Sequence, residues 1–433
     1  MNTKTRCWGN SQTWYPAKIF TPASLEEIRQ ILAEAKAADV PVHVLGSSHS
    51  INDITETSGY MIRTEKLNRV LNVDKKKMCV RVEAGIKIHD LLDALMKEGL
   101  TLPNQGYIAE QAIGGAIATA THGSGRTGTL SSLVRSIELV DANGTMHVLD
   151  SQTNPHLFSA AIVHLGCLGV IYAVTIMCLP VYKMHLTKEV MNIQHVLDNL
   201  DALRGSHPFL QVVLDPYSDD ALVWKYTPTN EPIHHRWLYK FKRGIIKFLT
   251  WSHFDAGYVP PSWSFPYGVK LFMRCARIKS CVDYAPLLLS PADEGHYVEM
   301  EIAVPFEHFK EALQDVRNII ARYGDMKANL VSVVVLRFVE ADSQGYMSPA
   351  YQRKTAYISL IAVRRPGYDN FYKEVQATLF RYKGRPHWGK IHFLTKEQAA
   401  ELYGEAYERF KDAKKTLDPD NRFSNHFSNR LFR

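Results

Sequence analysis

A run of small residues ending in a histidine, Val44-Leu45-Gly46-Ser47-Ser48-His49-Ser50, is the stretch of this chain best suited to chemistry. An apolar, strand-like run gives way to glycine and two serines. Such residues let the backbone approach a bulky ligand and aim successive N–H groups at anionic oxygens. His49 follows, where a reactive side chain would meet that ligand. A second stretch opens at Leu102-Pro103-Asn104-Gln105-Gly106 and resumes at Gly114-Gly115-Ala116-Ile117-Ala118-Thr119-Ala120-Thr121-His122-Gly123-Ser124. Two such loops, about sixty residues apart, are able to grip one phosphate-bearing cofactor from two sides. The pattern differs from the GxGxxG turn of a nicotinamide-binding unit. Farther along, Arg337 interrupts the apolar run 331–338, and a buried charge there needs a partner. Strand alternation puts Val335 on the same face. Glu299 and Glu301 either bring a carboxylate to that place or form a structural ion pair.

The elements that position these residues follow from caps and periodicity. Ser24 and Glu27 make a capping box, followed by apolar residues at helical spacing from Leu25 to Ala35. Strands are expected over 40–45, 60–63, 79–83 and 170–178, and a helix over 88–98 ends at Gly99. Strands 134–140 and 145–149 form a hairpin around Asp141-Ala142-Asn143-Gly144. Together these predict an α+β unit over 1–180. A second α+β unit, 181–390, is expected to hold a helix over 190–203, strands over 209–213, 221–226, 297–304, 330–340 and 356–363, and a helix over 306–322. Residues 396–415 read as helical.

The motifs resemble the vanillyl-alcohol oxidase type of flavoprotein, in its sugar-1,4-lactone oxidase and alditol oxidase branch. The likeness runs through GSSHS, LPNQG and GGAIATATHGSG to Leu165-Gly166-Cys167-Leu168-Gly169-Val170-Ile171. It continues at Arg385-Pro386-His387-Trp388-Gly389-Lys390 and at Leu417-Asp418-Pro419 with Phe423 and Asn425. The resemblance implies a two-part FAD-binding domain (1–180), an α+β substrate domain (181–390) and a tail (391–433) that returns to the FAD domain. It implies FAD joined covalently through His49, with Ser48 standing where the family has glycine. It assigns the cofactor to Gly46, Ser47, Ser48, His49, Ser50, Pro103, Asn104, Gly106, Gly114, Gly115, Ala118, Thr119, Thr121, His122, Gly123, Ser124, Gly169, Val170, Ile171 and Asn425. His122 reads as structural more than catalytic.

Gly106 corresponds to the position whose missing side chain admits dioxygen to the flavin. Arg337 and Lys390 correspond to the cations facing the substrate and are the expected catalytic pair. Tyr107, Val335, Ile358 and Leu360 are the expected pocket. The family pattern is Glu-x-Arg, so Val335 stands where a carboxylate would be, and Val335→Glu is expected to improve turnover of aldonolactones. The implied substrate is a sugar lactone or polyol, with dioxygen reduced to hydrogen peroxide. A quinone or cytochrome acceptor, or a flavin-holding protein with little turnover, are the alternatives.

Composition agrees with a folded protein: 46% hydrophobic, 22% charged, formal charge +7. That mild positive charge suits an anionic cofactor or a lipid surface, and no nucleic-acid motif accompanies it. The six cysteines show no metal spacing, so no metal is expected, and those in apolar runs read as reduced thiols of a cytoplasmic protein. The first residues lack the apolar core of a signal peptide, and no run is long and apolar enough for a membrane span. Residues 236–251 form a basic amphipathic segment, with Arg236, Lys240, Arg243 and Lys247 opposite Trp237, Phe241, Ile245 and Phe248, suited to peripheral membrane association. Nothing indicates an oligomeric state.

Overall fold

Alternating apolar residues in short runs build three sheets that hold the candidate site between them. The computed structural model describes residues 4–7, 12–254, 264–290, 296–323, 330–362 and 367–433. Val363, the last residue of the expected final strand, lies outside them, as do the side chains of 250–254, 265 and 266.

The first sheet is parallel. Strands β1 (Lys18–Phe20), β2 (Val42–Leu45) and β3 (Tyr60–Arg63) run in the order β1-β3-β2, with helix α1 (Leu25–Ala37) as the crossover. Ser24 Oγ accepts from the Glu27 amide, and the Glu27 carboxylate accepts from Ala23, one residue before the cap. Ile28, Leu32 and Ala35 are buried against β2 and β3. Each such aliphatic side chain contributes about 1.5–3 kcal/mol for Ile or Leu.

The second sheet is antiparallel: β4 (Val70–Asp74), β5 (Cys79–Glu83), β6 (Val134–Val140), β7 (Met146–Asp150) and β8 (Val170–Met177), in the order β7-β6-β8-β5-β4. Helix α2 (Ile88–Lys97), the short α3 (Ile113–Ala118) and α4 (Pro155–Ile162) pack on it. Periodicity alone did not reveal α3, whose two glycines leave no amphipathic stripe. Nor did it reveal α4, which is apolar nearly all round and whose one start signal is Pro155.

The third sheet has eight antiparallel strands. These are β9 (Lys183–Asn192), β10 (Phe209–Leu214), β11 (Asp220–Thr229), β12 (Ile278–Tyr284), β13 (Val298–Pro305), β14 (Val333–Val339), β15 (Thr355–Ala362) and β16 (Arg385–Pro386). Their order is β12-β9-β11-β10-β14-β15-β13-β16. The helix expected over 190–203 begins only at Ile193. Residues 190–192 complete the pairing of β9 with β11, and Asn192 then caps a short helix through the amides of Gln194 and His195. One face of the sheet is covered by α5 (Arg236–Phe254) and α6 (Phe265–Ala276), and the other by α7 (Phe309–Arg322) and α8 (Tyr368–Phe380).

Three helices end the chain: α9 (Lys396–Tyr403), α10 (Glu405–Leu417) and α11 (His426–Phe432). Gly404, at φ +53°, separates the first two within the stretch 396–415 that reads as helical. Leu402, Phe410, Phe427 and Leu431 join the core of the second sheet, not of the third.

Candidate functional site

Strand β2 delivers its C-terminal end into a cleft. Gly46, Ser47, Ser48, His49 and Ser50 form one wall. Gly114, Gly115, Ala118 and Thr119 of the α3 region, with Ile171 of β8, form the other. Burial, with Lys390 nearby, pushes His49 down to about 4, so its imidazole is neutral near pH 7 and keeps a lone pair. Ser48 has φ +60° and donates its hydroxyl to the Arg6 carbonyl at 2.8 Å. The left-handed backbone explains why glycine suits this place; in serine that hydrogen bond offsets part of a conformational cost of about 1–2 kcal/mol.

The two loops differ in the backbone amides they leave open. In the second stretch the amides of Gly114, Ala116 and Thr121 already donate to Ala84, Ala112 and Ala116. Those of Gly46, Ser47, Ser48 and Ser50 enter no backbone hydrogen bond among the described residues. A Cβ on Gly115 would meet open space, and Gly46 lies tight against Ala112. His43 and His164 also line the cleft, and neither ring nitrogen of His43 makes a hydrogen bond of normal geometry. A cleft with polar donors on one wall and small residues on the other fits FAD.

Several expected cofactor residues lie outside this lining. Asn104 donates to the Gly128 carbonyl and accepts from Gln105, and Gly123 packs against both members of that pair. Pro103 and Thr121 belong to the same buried loop region. Ser124 bonds the Leu210 carbonyl and the Phe338 amide, which docks the loop on β10 and β14. Gly169 packs on β6, where a Cβ would meet the Val140 carbonyl, and Val170 sits in the α1 core. Asn425 holds the backbone of Asp53, Ile54 and Glu56, so it supports Ile54 and Thr55 in the lining instead of touching it. These small or amide residues serve loop-to-loop packing, which sequence cannot separate from ligand contact.

The loop 385–391 links the cleft to the third sheet. Ile51 donates to Gly389 at 2.9 Å, and Asn52 donates to the carbonyls of Trp388 and Lys390. On the sheet face, Arg337 Nη1 lies 2.9 Å from Glu301 Oε1, with Nε bonded to Gln211. Lys390 pairs with Glu299, which also accepts from Ser359. The missing glutamate at 335 is therefore answered by two carboxylates on β13, two strands away. Burial opposes the Glu301 charge, yet His122, Arg337 and His387 hold its carboxyl well below the usual range. Burial likewise opposes the charge of Arg337, and Glu301 and Glu299 raise its value above the ordinary one.

His122 is stacked on Tyr357 at 3.6 Å, with Nδ1 donating to Gly123 and Nε2 3.5 Å from Glu301. This makes it part of the ion-pair cluster and not a lining residue of the cleft. Ligand atoms of His122, Glu301 and His387 lie within 4.8 Å of one another. The Arg337 guanidinium already supplies a cation there and would repel a metal ion.

Ile358 and Leu360 need correcting. The register pairs Tyr357 with Arg337 and Ser359 with Val335, so Ile358 and Leu360 point to the opposite face, fully buried under α7 and α8. Tyr357, Ser359 and Ile361 share the face of Arg337 and Val335 instead. Val335 is 4% exposed in an apolar cluster, and Tyr107 packs beside it, 5.9 Å from the Trp224 ring. With Arg337 already neutralised, the expected gain from Val335→Glu gives way to a cost on the order of 3–5 kcal/mol for an uncompensated buried charge. Urea unfolding measures it, and adding Glu301→Gln should restore part of the loss. Equal stability of Val335→Glu and wild type would show that Glu301 does not satisfy Arg337.

The cleft, the half-buried His49 on its wall and the cation–carboxylate pairs next to the 385–391 loop agree with a flavin-dependent oxidoreductase. Residues 16–150 match the FAD binding domain family, within the vanillyl-alcohol oxidase type of flavoprotein. Residues 174–431 match the D-arabinono-1,4-lactone oxidase family, and the chain belongs to it. It is 32% identical to the L-gulonolactone oxidase of Mus musculus, over 98% of this chain and 97% of that protein. It is 31% identical to the L-gulono-1,4-lactone dehydrogenase of Mycobacterium tuberculosis, over 98% of each. Cholesterol oxidase from Brevibacterium sterolicum superposes with a TM-score of 0.82 at 15% identity, covering 100% of this chain and 97% of that one, which shows the fold alone.

Proposed function

We propose that this protein is an FAD-dependent oxidase that removes a hydride from a carbinol carbon of a sugar-1,4-lactone or related polyol and passes the electrons to dioxygen, giving hydrogen peroxide. FAD, held between Gly46–Ser50 and Gly114–Thr119, would supply the hydride acceptor. The observation that carries this reading is the joining of the His49 loop to the Lys390 loop, next to the Arg337–Glu301 and Lys390–Glu299 pairs. Fixed cations there stabilise the negative charge that hydride transfer develops, and preorganised charge acts on the transition state more than on the ground state. Lys390, oriented by Glu299, is the group set to hydrogen-bond the reacting hydroxyl. We also propose that His49 carries the flavin covalently: its neutral imidazole would bond the flavin's 8α carbon as that carbon gives up a proton, and the two electrons released would pass through the flavin ring to dioxygen.

We divide the chain into 1–180 for FAD, 181–390 for substrate and 391–433 returning to the FAD side. We place it in the cytoplasm, peripheral on a membrane through 236–251; all six cysteines are free thiols, and no helix of the described residues is long and apolar enough to cross a membrane. Anaerobic mixing with a panel of lactones and alditols, followed by flavin absorbance, tests the substrate class. No bleaching with any of them would overturn it.

A dehydrogenase passing electrons to a quinone or cytochrome is the second reading, and one observation favours it. A Cβ on Gly106 would lie 2.7 Å from Thr121 Cγ2, so packing alone accounts for the glycine. Valine at 106 would disturb that contact broadly. Gly106→Ala paired with Thr121→Ser is the cleaner probe. If Gly106 admits oxygen, reoxidation by dioxygen slows at least about tenfold while reduction changes little, a difference of ~1.4 kcal/mol between the two barriers. Equal slowing in stopped flow would leave glycine a packing role.

A further inference from the structure

Helix α5 was expected to set its basic residues opposite its aromatic ones. At 100° per residue they are neighbours instead: Lys240 and Lys247 flank the stripe of Trp237, Phe241 and Phe248, and the stripe faces solvent. Trp237 is 71% exposed, Phe241 62% and Phe248 63%. The opposite stripe, with Tyr239 and Ile246, is buried against the sheet.

Helix α6 repeats the arrangement. Val269, Met273 and Ala276 join the same buried cluster, while Tyr267, 71% exposed, and Leu271, 54% exposed, point away from it. The two helices pack side by side over one sheet face, so their outer stripes look the same way.

Charge completes the surface. Residues 236–254 and 264–282 contain nine lysines and arginines and no aspartate or glutamate. Arg236 pairs with Asp283 and Lys242 with the Arg277 carbonyl, while Lys270 and Arg274 fall at helical spacing beside Tyr267 and Leu271 on α6.

We propose that α5 and α6 together form a docking surface for an anionic lipid bilayer. This rests on the reading of 236–251 as a peripheral membrane segment and extends it to a second helix. Large apolar side chains exposed in adjoining stripes mark an interaction surface. Tryptophan and tyrosine settle at the headgroup level, and lysine stems lie along apolar surface while their ammonium groups meet anionic headgroups. A second copy of the chain would bring the same positive charge against itself, which disfavours a homodimer through this face. The bilayer would lie over the sheet face that carries Val335, whose cluster α5 and α6 roof.

The flavin-loaded protein is sedimented with vesicles of phosphatidylserine and phosphatidylcholine, and with phosphatidylcholine alone. Binding is expected with the anionic vesicles at low salt and release as salt rises toward about 0.5 M, where charges are screened within a few ångströms. Trp237→Ser with Phe241→Ser, and separately Tyr267→Ser with Leu271→Ser, are each expected to weaken binding about tenfold or more, with flavin content and lactone turnover unchanged. If only the α5 pair weakens binding, the two-helix surface is wrong and the single-segment reading stands. If neither vesicle type binds the wild type, both fall.

Discussion

A denaturing gel of the wild-type protein is expected to show a band that fluoresces under ultraviolet light, and His49→Ala is expected to abolish it completely. The side chain sits in the cleft wall at the end of β2, and burial with Lys390 nearby pushes it down to about 4. A protonated imidazole has no lone pair to bond carbon; a neutral one does. The loop is pinned, because Ile51 and Asn52 bond the 388–390 backbone and Ser48 bonds Arg6. Removing the ring should therefore leave a folded protein that still takes up FAD but releases it on denaturation. Flavin that washes free of the denatured wild type would mean that His49 only packs against a dissociable cofactor.

Acid should weaken the fold well above the carboxylate range. Burial pushes His43 down to about 4, and His164 and His387 down to about 3. Unfolded, each returns to about 6.5. Below that value the unfolded chain binds protons that the folded one refuses, so stability is complete above pH 6.5. It falls as pH drops toward the folded values. At pH 5 each histidine costs roughly 2 kcal/mol, or about 6 kcal/mol for the three, against a typical total stability of 5–15 kcal/mol. Burial pushes the carboxyls of Asp342 and Asp418 up, which works the other way at lower pH. The thermal midpoint of the flavin-loaded protein should drop by about 6 °C between pH 7 and pH 5 at constant salt. A midpoint flat across that interval would show that the folded protein protonates these rings without opening.

Local signals in the sequence determined much of this protein. Apolar alternation placed β2, β3, β5, β6 and β14, and turn residues placed the hairpin at 141–144. The Gly/Ser run with His49 marked the cleft before any fold was known, because a backbone that must approach a ligand needs small residues wherever it lies in space.

Tertiary structure decided what depends on a neighbour. Whether Gly114 or Ser47 offers a free amide turns on Ala84, a residue about thirty positions away whose carbonyl takes the first. Ile358 and Tyr357 are both apolar enough for either face, and only the pairing with Arg337 assigns Tyr357 to the site. The partner of Arg337 lies two strands over, on β13, where the sequence offered Glu301 either as the carboxylate missing at Val335 or as a member of a structural ion pair, and only the strand order seats it against Arg337. Periodicity fixes which residues share a face of one strand; strand order and register decide which strands share a site.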